Sequence, residues 1–236
     1  IYNLNMEFTK PLIKGKLITR YKRFFIDVKI GKEIVTAHCP NTGSMKGLLG
    51  EGNEVYVSKN DDPKRKLKYT LEIIKVKKKL VGVNTHFANK IAFHGLSNNL
   101  VKEVSNNDNI KPEVFFDKET RFDFLIEKKK QKIFVEVKNV TLFRNDKIAE
   151  FPDSVTSRGS KHLKTLIEAL KKGYKSYLLF LVQVQGINNF KIAKDIDKEY
   201  YENYLLAKKA GVIFLAYRCN INSKEIKIEK KLKILS

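Results

Sequence analysis

Residues 122–138 of this chain have the sequence Phe-Asp-Phe-Leu-Ile-Glu-Lys-Lys-Lys-Gln-Lys-Ile-Phe-Val-Glu-Val-Lys, and this stretch decides how the fold is interpreted. Two apolar runs rich in β-branched and aromatic residues flank a Lys-rich polar segment, which is the pattern of an antiparallel hairpin. We expect the turn to centre between Lys129 and Lys130. The sequence therefore predicts two neighbouring strands with a defined register.

Three charged side chains of this hairpin are candidates for chemistry. With the turn so placed, Asp123 and Glu136 face each other, and Lys138 lies on the face of Glu136 because strand side chains alternate. Directly opposed residues have Cβ atoms roughly 5 Å apart, where two carboxylates repel each other unless a cation sits beside them. Mg²⁺ prefers sites with one or two carboxylates that leave positions for water and phosphate oxygens.

This pattern predicts a metal-dependent phosphodiesterase site. Asp123 and Glu136 are the predicted ligands of Mg²⁺, with Mn²⁺ as the alternative ion, and Lys138 would support the attacking water or the developing charge. All three are predicted catalytic residues. The alternative is a salt-bridge cluster on the open face of a hairpin. The joint arrangement, an acid followed after a hairpin by Glu-x-Lys, resembles the core of the PD-(D/E)XK nucleases.

The charge of the chain indicates its partner. Lys and Arg number 47 against 26 Asp and Glu, which gives a net charge of +21. Such an excess favours a polyanionic partner, and DNA is the expected one, with RNA as the alternative. The alternative explanation of this net charge is a generally Lys-rich surface that has no polyanionic partner. Since 42% of the residues are apolar, the chain can build a core, and disorder is not expected.

The first third of the chain has the pattern of a small β-barrel. Residues 12–83 contain short strand-like runs, separated by Gly, Pro, Asn and Asp at turn positions. Five or six short strands in such a segment predict a barrel, of which the OB-fold is the commonest nucleic-acid-binding kind. A Src-homology-3-like barrel would have the same pattern. We expect this domain to cover residues 1–83.

The remainder, residues 84–236, has an α/β pattern. A helix is followed by strands, and further helices then alternate with strands. Such an order can place catalytic groups on neighbouring strands of one sheet. Asp153 is expected to cap a helical turn, Gly173 to end the helix that follows, and Gly211 to end the last helix. The expected helices cover residues 86–101, 160–172 and 197–210, and the expected apolar strands cover residues 177–184 and 212–217.

Two basic segments of the barrel are candidate nucleic-acid contacts. Around residues 20–25 cations interleave with aromatic residues, a composition that can follow phosphates and stack unpaired bases. The alternative for Phe24 and Phe25 is a place in the barrel core. The predicted contacts are Arg20, Lys22, Arg23, Lys64, Arg65 and Lys66.

A third candidate segment precedes and enters the helix at residues 160–172. A helix N-terminus there could meet a phosphate. Arg158, Lys161 and His162 are predicted to contact the scissile region, and His162 is also a candidate general acid. The alternative for Lys161 and His162 is a solvated helix surface.

The remaining features bear on location. Residues 1–5 lack the basic and apolar regions of a secretory signal, and the longest strongly apolar stretch, residues 177–184, is too short to span a membrane. Cys39 and Cys219 suit buried thiols in a reducing cytoplasm, and neither has His at metal-site spacing. We therefore expect a cytoplasmic protein without membrane contact or a zinc site. The sequence leaves the oligomeric state open.

Several motifs in order from Met6 to the C-terminus resemble the sugar fermentation stimulation protein A family. They are Arg-Tyr-Lys-Arg-Phe at 20–24, His-Cys-Pro-Asn-Thr-Gly-Ser-Met at 38–45, Asn-Asp-Asp-Pro-Lys-Arg-Lys at 60–66, Gly-Val-Asn-Thr at 82–85, Arg-Phe-Asp-Phe at 121–124, Val-Glu-Val-Lys-Asn-Val-Thr-Leu at 135–142, and Phe-Pro-Asp-Ser-Val-Thr at 151–156 with Arg158-Gly159 and Lys161-His162-Leu163. Because Met6 resembles the usual start of the family, residues 1–5 are expected to be an upstream extension.

The resemblance implies an N-terminal OB-like domain and a C-terminal restriction-endonuclease-like domain, in a DNA-binding protein linked genetically to sugar utilisation. Asp123, Glu136 and Lys138 match its nuclease-like motif. His94 departs from it, because the family helix has a Glu there, so a third acid is missing or replaced by a ligand for a softer metal. A non-catalytic DNA-binding regulator of sugar metabolism is the alternative to a nuclease.

Overall fold

The computed structural model describes residues 7–235, so the expected extension at residues 1–5 lies outside the described residues. The N-terminal part forms one sheet in the order β3-β2-β1-β4-β5-β6, and β3 also pairs in parallel with β5. This pairing closes β1 to β5 into a barrel. The strands are β1 (Ile13–Tyr21), β2 (Phe25–Ile30), β3 (Glu33–His38), β4 (Glu54–Lys59), β5 (Tyr69–Val76) and β6 (Lys79–Gly82).

The alternation of side chains along these strands explains the barrel. Leu17, Ile26, Val28, Val55 and Val57 are at most 1% exposed and fill its interior, whereas their neighbours along the strands face outward. The expectation of five or six short strands is confirmed by β1 to β6.

One glycine permits the close approach of two barrel strands. A Cβ atom at Gly15 of β1 would lie 2.4 Å from Cγ1 of Val28 and 2.9 Å from the carbonyl oxygen of Lys29, both on β2. Any larger residue would therefore push these strands apart.

The C-terminal part is built on a mixed sheet in the order β15-β14-β12-β9-β8-β7, beside a smaller sheet in the order β10-β11-β13-β16. Strands β9, β12 and β14 run parallel in the middle of the larger sheet, and β7, β8 and β9 are antiparallel. The strands are β7 (Asn109–Phe115), β8 (Arg121–Lys128), β9 (Gln131–Val140), β10 (Leu142–Asn145), β11 (Ile148–Phe151), β12 (Lys175–Val182), β13 (Asn189–Ile192), β14 (Ile213–Ile221), β15 (Ile226–Lys231) and β16 (Lys233–Ile234).

Helices cover both faces of the larger sheet, and its central strand β12 is accordingly almost wholly apolar. Helix α1 (Ala88–Ser97), after a 3₁₀ turn at Thr85–Phe87, packs with Leu179 and Leu181 of β12. Helices α2 (Ser157–Lys171) and α3 (Lys198–Ala210) pack with Leu178 and Phe180 on the other face. A second short 3₁₀ turn lies at Lys102–Val104. A strand covered on both sides needs apolar residues at successive positions, as β12 has.

The helix ends before Gly173 and Gly211 agree with the sequence, whereas α1 ends at Ser97 and not at residue 101, and α2 begins at Ser157 and not at residue 160. Gly173, with φ +85°, follows the C-cap of α2, and Gly211, with φ +105°, caps α3. The expectation that Asp153 caps a helical turn is wrong, because the hydroxyl of Thr156 accepts the hydrogen bond from the N–H of Gly159. Asp153 accepts instead from the hydroxyl of Ser44, which links the loop after β3 to the loop before α2.

None of the helices within residues 7–235 combines the length and the apolar composition that crossing a bilayer requires.

Candidate active site

The register of the β8–β9 hairpin brings the two predicted acids together. Lys128 pairs with Gln131 and Phe124 with Val135, so the turn is centred as predicted. The ladder ends at Phe124 and Val135, and the next residues of the two strands, Asp123 and Glu136, lie close enough for the charge of Glu136 to act on the carboxyl of Asp123. The prediction of the hairpin is confirmed.

A third acid continues this line onto the edge strand β7. This acid is Glu113. Its neighbours Pro112 and Val114 pair with Phe124 and Phe122 of β8, so Glu113 lies across from Asp123. We call Glu113, Asp123 and Glu136, from three adjacent strands, the acid row. Glu113 was not predicted, because β7 has no regular apolar alternation in the sequence. In the structure Glu113 has φ +55° and interrupts the ladder.

The carboxyl group of Asp123 holds its proton more tightly than usual. Burial, and next the charge of Glu136, raise its pKa to about 6. Two hydrogen bonds to its oxygens oppose this rise, one of 2.7 Å from the N–H of Val137 and one of 2.7 Å from the amide of Asn89 on α1. Asp123 therefore changes its charge close to physiological pH.

Glu136 is buried in a small ion-pair network. Burial would raise the pKa of its carboxyl, but the charge of Lys138 and the hydrogen bond from His162 hold that pKa below its ordinary value. The ammonium of Lys138 lies 2.8 Å from Oε1 of Glu136 and 3.3 Å from Nδ1 of His162, and Nδ1 also contacts Oε1. Both contacts to Glu136 involve Oε1. Among the residues that the structure describes, Oε2 of Glu136 has no hydrogen-bond partner although it is buried.

Helix α2 supplies the other wall of the site. Arg158 and His162 are one turn apart, and Nε of Arg158 donates to Nε2 of His162 over 3.4 Å. Because a guanidinium can only donate, Nε2 accepts, and Nδ1 carries the proton that it donates to Glu136. Lys161 forms an exposed ion pair of 2.9 Å with Glu119. The structure thus brings the three predicted residues of this segment to the acid row.

These groups line one open cleft of about 540 Å³. Both acidic and basic side chains line it, so the cleft can take both a cation and an anion. The lining residues are Glu113, Phe115, Glu119, Thr120, Arg121, Asp123, Glu136, Arg158, Lys161 and His162.

The acid row fits a cation held by two protein carboxylates. Within residues 7–235 no group of three or more His, Cys, Asp or Glu side chains is gathered closely enough to hold a metal by itself. Glu113 does not complete such a group, because its carboxylate pairs with Arg121 at 2.9 Å and with the amide of Asn89 at 3.3 Å. The candidate ligands that remain are the buried oxygen of Glu136 and the carboxyl of Asp123. Two such groups are enough, because Mg²⁺ commonly binds to one or two carboxylates.

The basic residues predicted on the barrel do not line this cleft. The guanidinium of Arg20 donates to the carbonyls of Arg23, Asn41 and Gly43, so it holds a loop in place. Lys22 and Arg23 are exposed in the turn after β1, where both have positive φ.

The second basic segment of the barrel, residues 64–66, is mostly exposed. Lys64 and Lys66 face solvent, whereas Arg65 donates a 3.2 Å hydrogen bond to the hydroxyl of Thr70. The interpretation of Phe24 as barrel core is wrong, because Phe24 is 49% exposed. Phe25 is partly buried and stacks on Tyr21 with the ring centroids 5.5 Å apart.

His94 lies elsewhere than the sequence led us to expect. Burial, and next the charge of Lys227, lower the pKa of its imidazole, and its other charged neighbour is Glu225. It does not line the cleft, so of the two alternatives, a missing third acid or its replacement by His94, the replacement is wrong. The residue of α1 that reaches the acid row is Asn89.

The closed barrel and the mixed sheet with its acid row define a class of protein, one that combines an OB-type barrel with a restriction-endonuclease-like domain. Two family models match the chain: SfsA N-terminal OB domain over residues 18–83, and Sugar fermentation stimulation protein RE domain over residues 86–225. The chain therefore belongs to the sugar fermentation stimulation protein family, as its motifs led us to expect.

Similar proteins extend over nearly the whole chain. A sugar fermentation stimulation protein homolog of Pelagibacter ubique is 87% identical over 98% of this chain and 100% of its own length. The homolog of a Marinomonas species is 41% identical over 98% of this chain and 90% of its own length. Among solved structures, Pyrococcus furiosus SfsA in complex with Ca²⁺ is 28% identical, has a TM-score of 0.88, and matches 98% of both chains.

Proposed function

We propose that this chain binds DNA and hydrolyses its phosphodiester bonds with a divalent cation, Mg²⁺ or alternatively Mn²⁺, held by Asp123 and Glu136. The observation that carries the proposal is the buried Oε2 of Glu136, which has no hydrogen-bond partner among the described residues and belongs to a carboxylate next to Asp123. A bare carboxylate oxygen in a buried place is costly unless a cation or a donor meets it.

The side chains that line the cleft, and Lys138, which pairs with Glu136, have distinct parts in this proposal. When bound, the cation would polarise a phosphate oxygen and lower the pKa of an attacking water. Lys138 stabilises negative charge that develops on the phosphate as the P–O bond breaks. Arg158 and Lys161 hold the neighbouring phosphates, and His162 keeps the carboxylate of Glu136 oriented through Nδ1.

Two further findings support the proposal. The solved relative from Pyrococcus furiosus was obtained with Ca²⁺, which takes oxygen ligands as Mg²⁺ does. The net charge of +21 and an OB-type barrel with exposed Lys64 and Lys66 suit a polyanion. We further propose that the barrel domain covers residues 1–83 and the nuclease-like domain residues 84–236. The buried thiols of Cys39 and Cys219 support a cytoplasmic location.

A second candidate function is DNA binding without cleavage, as in a transcriptional regulator. It is favoured by the contacts of Glu136, since Lys138 already neutralises this carboxylate and His162 donates a hydrogen bond to it without a metal. In that case the acid row serves only the stability of the sheet.

Incubation with supercoiled and single-stranded DNA separates the two functions. Wild-type protein with Mg²⁺ or Mn²⁺ should nick or degrade DNA, while Asp123→Asn and Glu136→Gln should bind DNA as wild type does and leave it intact. Equal products from wild type and both variants would show that the cleavage comes from another source. Binding without any cleavage would leave the regulator.

A further inference from the structure

A large aromatic side chain stands exposed on the wall of the cleft. Phe115, the last residue of β7, is 66% exposed and lines the same cleft as Asp123 and Glu136. Exposing so much apolar surface has no benefit for folding. A ring placed beside polar, charged groups can instead offer a flat face to a ligand.

Neighbouring side chains hold this ring. Arg121 is the cross-strand partner of Phe115, and its guanidinium carbon lies 5.7 Å from the ring centroid. Glu113 fixes the same guanidinium through a 2.9 Å ion pair. Because β7 is the edge strand of the sheet, the ring has a strand on one side only.

The ring is also at a useful distance from the acid row. Phe115 is two residues beyond Glu113, and Glu113 lies across from Asp123. Two residues along a strand and one step between strands separate Phe115 and Asp123 by roughly 8 Å between Cα atoms. A base attached to a sugar-phosphate at the acid row can cover this distance.

We propose that Phe115 stacks on an unpaired base of a DNA strand whose phosphate lies at Asp123 and Glu136. The substrate is therefore single-stranded or locally unpaired DNA, and this inference rests on the proposed function. In a duplex each base is stacked between its neighbours and offers no free face, whereas a single strand exposes every base to an aromatic side chain. Arg121, Arg158 and Lys161, which line the same cleft, complement the phosphates of the same strand.

The test measures equilibrium binding of the full-length protein by fluorescence anisotropy, in EDTA so that no cleavage intervenes. The probes are a short oligo-deoxythymidine strand, the same strand made entirely of abasic residues, and a duplex. Phe115→Ala should weaken binding of the oligo-deoxythymidine strand by roughly 5- to 150-fold, since one base stack contributes about 1–3 kcal/mol. Phe115→Trp should keep wild-type affinity.

The abasic strand and the duplex should bind Phe115→Ala as tightly as they bind wild type. Ile34→Ala is the matched control, because Ile34 is also 66% exposed but lies on barrel strand β3. It should leave all affinities unchanged. A loss in Phe115→Ala that is the same on the abasic strand, or no loss on the oligo-deoxythymidine strand, would overturn the inference.

The outcomes also distinguish this inference from the proposed function. If base-dependent binding needs Phe115 but the protein cuts no DNA, the stacking role stands and the hydrolysis fails. If the protein cuts DNA but Phe115→Ala binds normally, the stacking role fails and the hydrolysis stands. If wild-type protein binds none of the probes, both are overturned.

Discussion

The amide nitrogen of Asn89 lies 2.7 Å from Oδ1 of Asp123, so helix α1, which follows the barrel, contacts the acid row directly. This hydrogen bond favours the ionised carboxyl and opposes the burial that raises its pKa. Asn89 is thus a positioning residue for the predicted metal ligand. The segment between barrel and sheet takes part in setting the charge of the site.

Replacing Asn89 should change how cation binding depends on pH. Asn89→Ala removes a hydrogen bond to the charged form, so the pKa of Asp123 should rise further above its present value of about 6. Because a proton and a cation compete for the carboxylate, the midpoint of Mn²⁺ binding against pH should move upward. Calorimetric titration at several pH values measures this. Asn98→Ala, at the other end of α1, is the control, and an unmoved midpoint in Asn89→Ala would contradict the role.

Asp123→Asn should stabilise the metal-free protein at neutral pH. The folded carboxyl has a pKa of about 6 against an ordinary 3.8, so the folded state holds the proton that the unfolded state releases between these values. The free energy of unfolding therefore falls as pH rises through this window, by on the order of 2–3 kcal/mol. The side chain introduced by Asp123→Asn does not ionise, so the variant does not lose this stability as pH rises. The amide of Asn89 can turn so that its oxygen accepts a hydrogen bond from the introduced amide.

Thermal unfolding in EDTA tests this. Above about pH 6 the Tm of Asp123→Asn should exceed that of wild type, and the difference should vanish in acid. Mn²⁺ should raise the Tm of wild type but not of the variant, because a ligand stabilises only the state that binds it. A Tm of Asp123→Asn that is lower than that of wild type at every pH would refute the claim that burial of the Asp123 carboxyl raises its pKa and destabilises the wild-type protein at neutral pH.

Lys138→Met should destabilise the protein at neutral pH and less so in acid. The pKa of Glu136 is now held below its ordinary value of 4.5, so its contribution to stability is present above that value and is lost as pH falls. Without the ammonium, burial dominates, and a buried charge left unpaired costs about 3–5 kcal/mol. Urea unfolding at neutral and acid pH checks the sign. A deficit independent of pH would show that packing, and not charge, explains the loss.

Two basic residues of the barrel should respond differently to substitution. Lys64 is exposed, and if it contacts a phosphate, Lys64→Ala should flatten the slope of log affinity against log salt by about 0.9 on duplex DNA. Arg20 donates to three backbone carbonyls, so Arg20→Ala should chiefly lower the Tm. Salt titrations of DNA binding and thermal melting curves of both variants distinguish a phosphate contact from a structural role. Lys198→Ala, exposed at the start of α3, serves as the control.

The sequence predicted what depends on local periodicity. The β8–β9 hairpin has strong apolar runs on both sides of a polar turn, so the register between Phe124 and Val135 followed from the turn alone. The helix stops at Gly173 and Gly211 followed in the same way, since left-handed backbone favours glycine.

The rest of the site depends on contacts between residues distant in sequence. Glu113 joins the acid row through an irregular edge strand, and Asn89 through the packing of α1, neither of which has a sequence signal of its own. His94 was misplaced because a position on a helix does not say which neighbour it will meet. Asp153 has the chemistry of a cap, but a tertiary contact with Ser44 uses it instead.

The proposed hydrolysis depends most on a cation between the carboxylates of Asp123 and Glu136. Anomalous diffraction from crystals soaked in Mn²⁺ locates such an ion directly. We expect a peak within bonding distance of a carboxylate oxygen of Asp123 and of Oε2 of Glu136, and no peak in crystals of Glu136→Gln treated in the same way. An empty position in wild type at pH above the pKa of Asp123, or a peak that persists in the variant, would contradict the account.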